Sequence, residues 1–356
     1  MKMESDFSNP GQPLHGNLTT LEGNPVDGFA VLLSNDQHSG YVQSTNFPYK
    51  APKNIGETTM ISAQFQGSNI FSSISKQVIV TSTALDVDVI IPSSTFINTN
   101  DTTIVYIHMI YAHNGSPISG GLVSLEGVAY AETNSSGWAQ VNVTRTHPGE
   151  YWFRAVGVRD SSGRITYPRA SQNLTITWTH ITLDGRYVSD NRADVGSVQY
   201  IAFHALWAHN NSDVVGGVIY VNGSAYTTNG IGWITFNVSS HVVGKQLWTV
   251  TSVSCYGITE YEKVVADPYI IWDKVLFNIS TDDYRINVGE VANINVSAYY
   301  AYDGAPFKGT YTFNDTLTKS IVGRYGYTIS SITDNNYGLT VFECNAVSII
   351  FSTEWL

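Results

Sequence analysis

A stretch of about thirty residues occurs twice in this chain. From Tyr111 it reads YAHNGSPISGGLVSLEGVAYAETNSSGWAQVNV, and from Trp207 it reads WAHNNSDVVGGVIYVNGSAYTTNGIGWITFNV. Aromatic-Ala-His-Asn, Gly-Gly, Gly-x-Ala-Tyr, Thr-Asn and Gly-Trp recur in one order, roughly 95 residues apart. Such a period is too long for a solenoid unit and fits one small β-sandwich. A chain of 356 residues can hold several, each with its own core. The sequence therefore predicts an array of similar domains.

Apolar residues alternate along the whole chain, and no stretch of useful length carries the helical period. The expectation is an all-β protein of four domains, at 1–92, 93–180, 181–273 and 274–356. The first is divergent, with turns at Glu22-Gly23-Asn24-Pro25 and Gly67-Ser68-Asn69, and DVDVIIP as its last strand. Its N-terminal strand is short or missing, which leaves a sheet edge open to a strand from another subunit. The next two close on apolar strands holding Trp178 and Trp272, and the fourth ends on Trp355, a domain boundary. Links of a few residues predict a semi-rigid, elongated array.

Strand parity separates inward from outward positions. Before the repeated motif the inward set is Val105, Ile107, Met109, Tyr111, then Ile201, Phe203, Ala205, Trp207, then Ile294, Val296, Ala298, Tyr300. Tyr106, His108, Ala202, His204, Asn293, Asn295 and Ser297 face out. After Thr-Asn, Ala139, Val141 and Val143 match Ile234, Phe236 and Val238, and then Tyr325, Tyr327 and Ile329, as the inward set. Trp138 and Trp233 fall on the outward parity, where the fourth repeat has Arg324.

Charged residues make up 13% of the chain, against about 25% in an ordinary soluble protein. Lys+Arg 18 against Asp+Glu 29 gives a net charge of -11 with no basic run, a poor surface for nucleic acid or anionic membrane. No apolar run reaches the ~18 residues of a membrane span. The start, MKMESDF, lacks the apolar region of a signal peptide, so an exported form is expected to be a mature segment or an excised piece. Asn-x-Ser/Thr sequons begin at Asn17, Asn100, Asn114, Asn134, Asn142, Asn173, Asn210, Asn222, Asn237, Asn278, Asn295 and Asn314. Hydroxyls, amides and glycans in place of charge keep a surface soluble in acid, where carboxylates are neutral. The expected protein is extracellular, glycosylated and archaeal. Cys255 and Cys344 fall in separate domains, so no disulfide forms within one; both are idle thiols, or they bridge domains or chains.

An inward alternating strand, an Asn/Asp-Gly-x-Pro turn, x-Gly, Val-x-Val and Thr-Asn-x-x-Gly resembles bacterial and archaeal immunoglobulin-like domains. These are the tandem modules of invasin- and intimin-type adhesins and of archaeal surface-layer and surface-filament proteins. Asn114, Gly115, Pro117, Gly120 and Gly137 carry the likeness, as do Asp303, Gly304, Pro306, Gly309 and Gly323. The turn Asn210-Asn211-Ser212-Asp213 departs from it. In the first domain Gly23, Pro25, Gly28, Phe65, Gly67 and Phe71 look like a related repeat. The resemblance implies four tandem immunoglobulin-like β-sandwich domains and a structural or adhesive cell-surface role without catalysis.

No strained Gly-flanked nucleophile, P-loop, dinucleotide fingerprint or paired-Cys zinc spacing appears. His108 and His204 occupy matched outward positions, and His113 and His209 recur at the turn. Histidines five apart on a strand point to opposite faces and do not chelate one metal as a pair. Clusters at Asn98-Asn100-Asp101, Asp190-Asn191-Asp194 and Asp282-Asp283 follow the domain junctions, where calcium stiffens some extracellular arrays and where ordinary turns look the same. Trp138 and Trp233 are the candidate glycan or interface contacts, with junction cover or local shielding of the sheet as the alternative. The leading expectation is a cell-surface rod, surface-layer component or filament subunit without a cofactor. Its partners would be copies of itself, other surface proteins and glycans. The alternatives are an adhesin or glycan-binding stalk, and the accessory arm of a secreted enzyme.

Overall fold

The computed structural model describes residues 9–10, 51–62, 77, 79–278, 280 and 297–307 with their side chains, and strand backbone at some positions beyond these. Every regular element among the described residues is a strand. The turns expected at 22–25 and 67–69, the Asp282-Asp283 cluster, Arg324, Trp355 and the motif residues Gly23, Pro25, Gly28, Gly67, Phe71, Gly309 and Gly323 lie outside the described residues. So do the side chains of Asn17, Phe65, Asn293, Ile294, Asn295, Val296, Asn314, Tyr325, Tyr327, Ile329 and Cys344. The chain divides into two compact units, 1–180 with 208–211, and 181–207 with 212–356.

In the first unit, strand Leu85–Pro92 lies antiparallel to Thr102–Tyr111, from Leu85 opposite Tyr111 to Pro92 opposite Val105. This corrects the expectation that DVDVIIP closes the first domain. The strand opens the repeated block, as Ile181–Val188 and Val275–Thr281 open the later ones. The parity of Leu85 and Val87 could be read from sequence, but the partner strand could not. Trp138–Thr144 pairs on the other side of Thr102–Tyr111 and completes one layer.

The facing layer runs Ala129–Glu132, Leu122–Leu125, Gly149–Arg159 and Pro168–Thr179, all antiparallel. The opening strand touches both layers. Leu85 and Asp86 start parallel to Pro168 and Ala170, and Phe96–Asn98 runs parallel to the far end, Thr177 to Thr179. This strand order is that of an immunoglobulin-like sandwich, with Ala129–Glu132 paired to the second layer. Val105, Ile107 and Met109 from one layer meet Val123, Phe153 and Trp178 from the other, all 0–2% exposed. Burial of that much apolar surface is the main force holding the layers together.

The second unit repeats the scheme. Gln199–Trp207 pairs Ile181–Val188 and Trp233–Val238. Val218–Val221 pairs Ser224–Thr227 and Val250–Ser254, while Tyr269–Asp273 pairs Gly244–Leu247 and, in parallel, Arg192–Asp194. Ile201, Phe203 and Ile234 are buried as parity predicts, and Trp272 of the closing strand is buried with them. Ala202 departs from it. The residue is 6% exposed on the outer face, a methyl flanked in register by Tyr187 and Thr235. Trp178 Nε1 donates to the Asp101 carbonyl at 3.0 Å and Trp272 Nε1 to Gln246 Oε1 at 2.8 Å, so each closing indole is buried with its N–H satisfied. Further along, Val275–Thr281 and Val291–Tyr300 pair from Val275 opposite Tyr300 to Thr281 opposite Ile294.

Candidate functional site

Each fragment of the repeated signature has a structural task. In the turn after Thr102–Tyr111, Gly115 N donates to the Tyr111 carbonyl (2.8 Å), Tyr111 N to Ser116 O (2.9 Å) and Ala112 N to Ala84 O (3.0 Å). The matching turns make the last two contacts again: Trp207 N to Ser212 O with Ala208 N to His180 O, and Tyr300 N to Ala305 O with Ala301 N to Lys274 O. The turn is thus tied to the residue that precedes the opening strand each time. Asn114 Oδ1 accepts from Ser116 N, and Asp303 Oδ1 from Ala305 N, which explains the Asn/Asp. Asn210-Asn211-Ser212-Asp213, despite its different residues, keeps the bridge between Leu206 and Asp213 that Ile110–Pro117 and Tyr299–Pro306 form.

His113 and His209 belong to these turns. His113 Nδ1 hydrogen-bonds the Thr83 hydroxyl at 2.8 Å and His209 Nδ1 the Thr179 hydroxyl at 3.0 Å. Burial lowers the pKa of both rings, favouring the neutral form that a hydroxyl partner suits. In the third turn the pairing is ionic. Tyr302 N donates to Asp273 Oδ1 (3.0 Å), and Arg192 pairs with Asp303, approaches Asp273 Oδ2 at 3.5 Å and lies 4.4 Å over the Tyr300 ring. Burial, then the charges of Asp190 and Asp273, raises the pKa of Asp194; burial also raises that of Asp190.

The Gly-Gly, Thr-Asn and Gly-Trp pairs close a second device. Thr133 Oγ1 donates to the Ile118 carbonyl and accepts from Gly121 N; Thr228 Oγ1 does the same with Val214 and Gly217. Asn134 Oδ1 accepts from Ser136 and Trp138 N–H, and Asn229 Oδ1 from Ile231 and Trp233 N–H. Gly137 and Gly232 sit at φ +77 and +71, where a Cβ would lie 2.8 and 2.7 Å from the Met109 and Ala205 carbonyls. Glycine is required there on both counts.

Trp138 and Trp233 then land beside His108 and His204, with ring centroids 4.7 Å apart in both cases. His108 Nδ1 sits 2.8 Å from Asp88 Oδ1 and Nε2 3.1 Å from the Ser136 carbonyl oxygen. His204 Nδ1 sits 2.7 Å from Asp184 Oδ1 and Nε2 3.1 Å from Asp213 Oδ1. Asp88 and Asp184 were not predicted, because each is the extra residue of a β-bulge. His108 faces Val89 and Met109 faces Val87, while His204 faces Gly185 and Ala205 faces Leu183. A bulge re-aims one side chain and breaks the parity from which faces are read. Both tryptophans are half-buried within their own sheets, Trp233 stacked on His204 and Trp138 tilted against His108.

The described sequon asparagines, Asn100, Asn114, Asn134, Asn142, Asn173, Asn210, Asn222, Asn237 and Asn278, are all exposed; so are Asn191 and Asn229 outside sequons, so exposure does not single them out. Asn98 Nδ2 donates to Asp101 Oδ2, making that cluster a turn. Among the described residues no three His, Cys, Asp or Glu side chains converge as a metal site. Cys255 is a free, buried thiol whose pKa burial pushes up. Missed by the sequence reading was Trp152, 61% exposed on the outer face of the second layer. Its signal was present, since it alternates with inward Tyr151 and Phe153.

No protein-family model and no curated protein matches this chain. Among solved structures, the D0-D1 domain of intimin is similar at TM-score 0.23 and 14% identity, over 52% of this chain and 98% of that one. Invasin, a bacterial integrin-binding protein, gives 0.32 and 10%, over 87% and 79%. Domains 1-6 of the surface layer protein SbsC give 0.23 and 11%, over 98% and 52%. At these scores the assignment of fold rests on strand order and register, given above.

Proposed function

We propose that this chain is a non-catalytic structural protein of a cell surface, made of four tandem immunoglobulin-like β-sandwiches and secreted as a glycoprotein. One observation carries the reading. The residues repeated most strictly, those that look most like a chemical signature, are spent on core, turn and intra-sheet stacking. What varies between repeats is the outer face, as in a component whose work is spacing and lateral contact. Scarce charge and many sequons fit an extracellular, archaeal-type surface.

The test is self-association. Sedimentation velocity and electron microscopy of the glycosylated protein should show assembly that grows with concentration, and the calcium arm tests the junction acids Asp190 and Asp194. A protein that stays monomeric throughout and is retained on a glycan array is instead an adhesin. The exposed rings of Tyr130 and Tyr256 favour that second reading.

A further inference from the structure

Two large aromatics lie bare on sheet faces with a sequon beside each. Trp152 is 61% exposed and Tyr200 50% exposed. Trp152 stands opposite Thr175, the hydroxyl residue of the sequon Asn173-Leu174-Thr175, and Asn173 stands opposite Arg154. Asn173 is therefore the diagonal neighbour of Trp152 on one face, about 7–8 Å away between backbones. Arg154 does not come between them. Its Nε donates to Ser171 Oγ at 3.1 Å and its Nη1 lies 3.9 Å from Glu126, both away from Trp152. Tyr200 stands directly opposite Asn237, which heads the sequon Asn237-Val238-Ser239. The first block supplies a control. The matched asparagine, Asn142, stands opposite Ile104, and its sequon hydroxyl on Thr144 bonds Thr102 at 2.7 Å.

We propose that Trp152 and Tyr200 are platforms for the chain's own N-linked glycans, carried on Asn173 and Asn237. The first sugar linked to each asparagine lays the C–H face of its ring on the adjacent indole or phenol, removing both apolar surfaces from water. An exposed tryptophan on a flat sheet face is an aggregation liability, and a tethered sugar covers it without an interface. The inference rests on the glycoprotein reading above but goes further, because it assigns a docking ring to particular glycans.

The experiment uses the full chain secreted from an N-glycosylating host, with peptide mass spectrometry for occupancy and hydroxyl-radical footprinting for side-chain exposure. Asn173 and Asn237 should be occupied, and oxidation of Trp152 and Tyr200 should rise several-fold in T175A and S239A respectively. T175A should lower Tm by about 2–4 °C when Trp152 is present and have no effect in W152A, the scale of one modest contact in a unit this size. N142Q should move neither footprint. Occupied sites with unchanged oxidation overturn the platform proposal and leave the glycoprotein reading standing. If no sequon is occupied, both fail. If Asn173 and Asn237 are bare while other sequons are occupied, and array glycans protect Trp152, the ring serves an external sugar and the proposal is wrong.

Discussion

The turns at 111–117 and 300–306 are nearly the same sequence, YAHNGSP and YAYDGAP, and nearly the same backbone. In each, the glycine N–H closes on the aromatic carbonyl, and the alanine N–H reaches the residue before the opening strand. Their side-chain chemistry differs. The first is held by a neutral pair, His113 with Thr83; the second by a buried acid, Asp273, answered by Arg192 and the Tyr302 N–H. Backbone geometry is what the repeat preserves, and the polar contact that braces it is interchangeable, provided the buried groups are satisfied.

The largest effect should come from breaking the ionic turn. Arg192→Ala removes the guanidinium paired with Asp273, whose side chain is 4% exposed and whose Oδ2 has no hydrogen-bond partner. A buried acid left without its cation, with loss of the contact to Tyr300, should cost about 2–3 kcal/mol in thermal or denaturant unfolding. His113→Ala in the neutral turn, losing one hydrogen bond, should cost about 1 kcal/mol. Equal losses would mean the two turns are braced alike.

The backbone half of the comparison is tested at its glycines. Gly115 and Gly304 sit at φ +70 and +68 with nothing within 4 Å of an added Cβ, so only the left-handed backbone resists a side chain. Gly115→Ala and Gly304→Ala should each cost about 1–2 kcal/mol, and by the same amount. Unequal values would show that the turns differ in backbone strain as well.

A smaller contrast concerns the bulge. Leu183 to Gly185 carries the extra Asp184 opposite His204, whereas Phe277 and Asn278 pair Ala298 and Ser297 with no residue between. His204→Ser should cost about 1 kcal/mol, discounted for the exposure of its carboxylate partners. Ser297→His should gain nothing, since no bulged carboxylate awaits it; a rise in Tm would break the link between bulge and histidine.

The smallest effect is the pH dependence. Burial holds His113 below its ordinary 6.5, so the folded turn binds a proton less readily than the unfolded chain does. Its contribution is whole above about pH 6.5 and lost as pH falls through the lower folded value. Asp303 is held below 3.8, first by the Ala305 N–H and then by Arg192, so its contribution is whole above about pH 3.8 and lost only below it. Amide hydrogen exchange, corrected for its intrinsic pH dependence, should show Ala112 losing protection at mildly acidic pH and Ala301 only in strong acid.

Much of the fold was legible because a strand's period of two is written into the residues. Val105, Ile107 and Met109, and Ile201 and Phe203, are buried as alternation requires. The candidate site was legible in part. Trp138 and Trp233 do stand on the outward parity, but the sequence could not show that each lies against a histidine that a re-aimed aspartate holds. A bulge is one residue of extra backbone, and no residue type announces it.

The sequence by itself determined an all-β chain, the repeat and the identity of the inward faces. Those properties depend on local sterics and on periodicity within one strand. Tertiary structure alone decided which strand Leu85–Pro92 joins, that Asp88 and Asp184 turn toward His108 and His204, that Arg192 answers Asp273 and Asp303, and that Trp152 shares a face with Asn173. Each depends on register between segments up to 111 residues apart, and register is fixed by packing against partners that a strand's own sequence does not name.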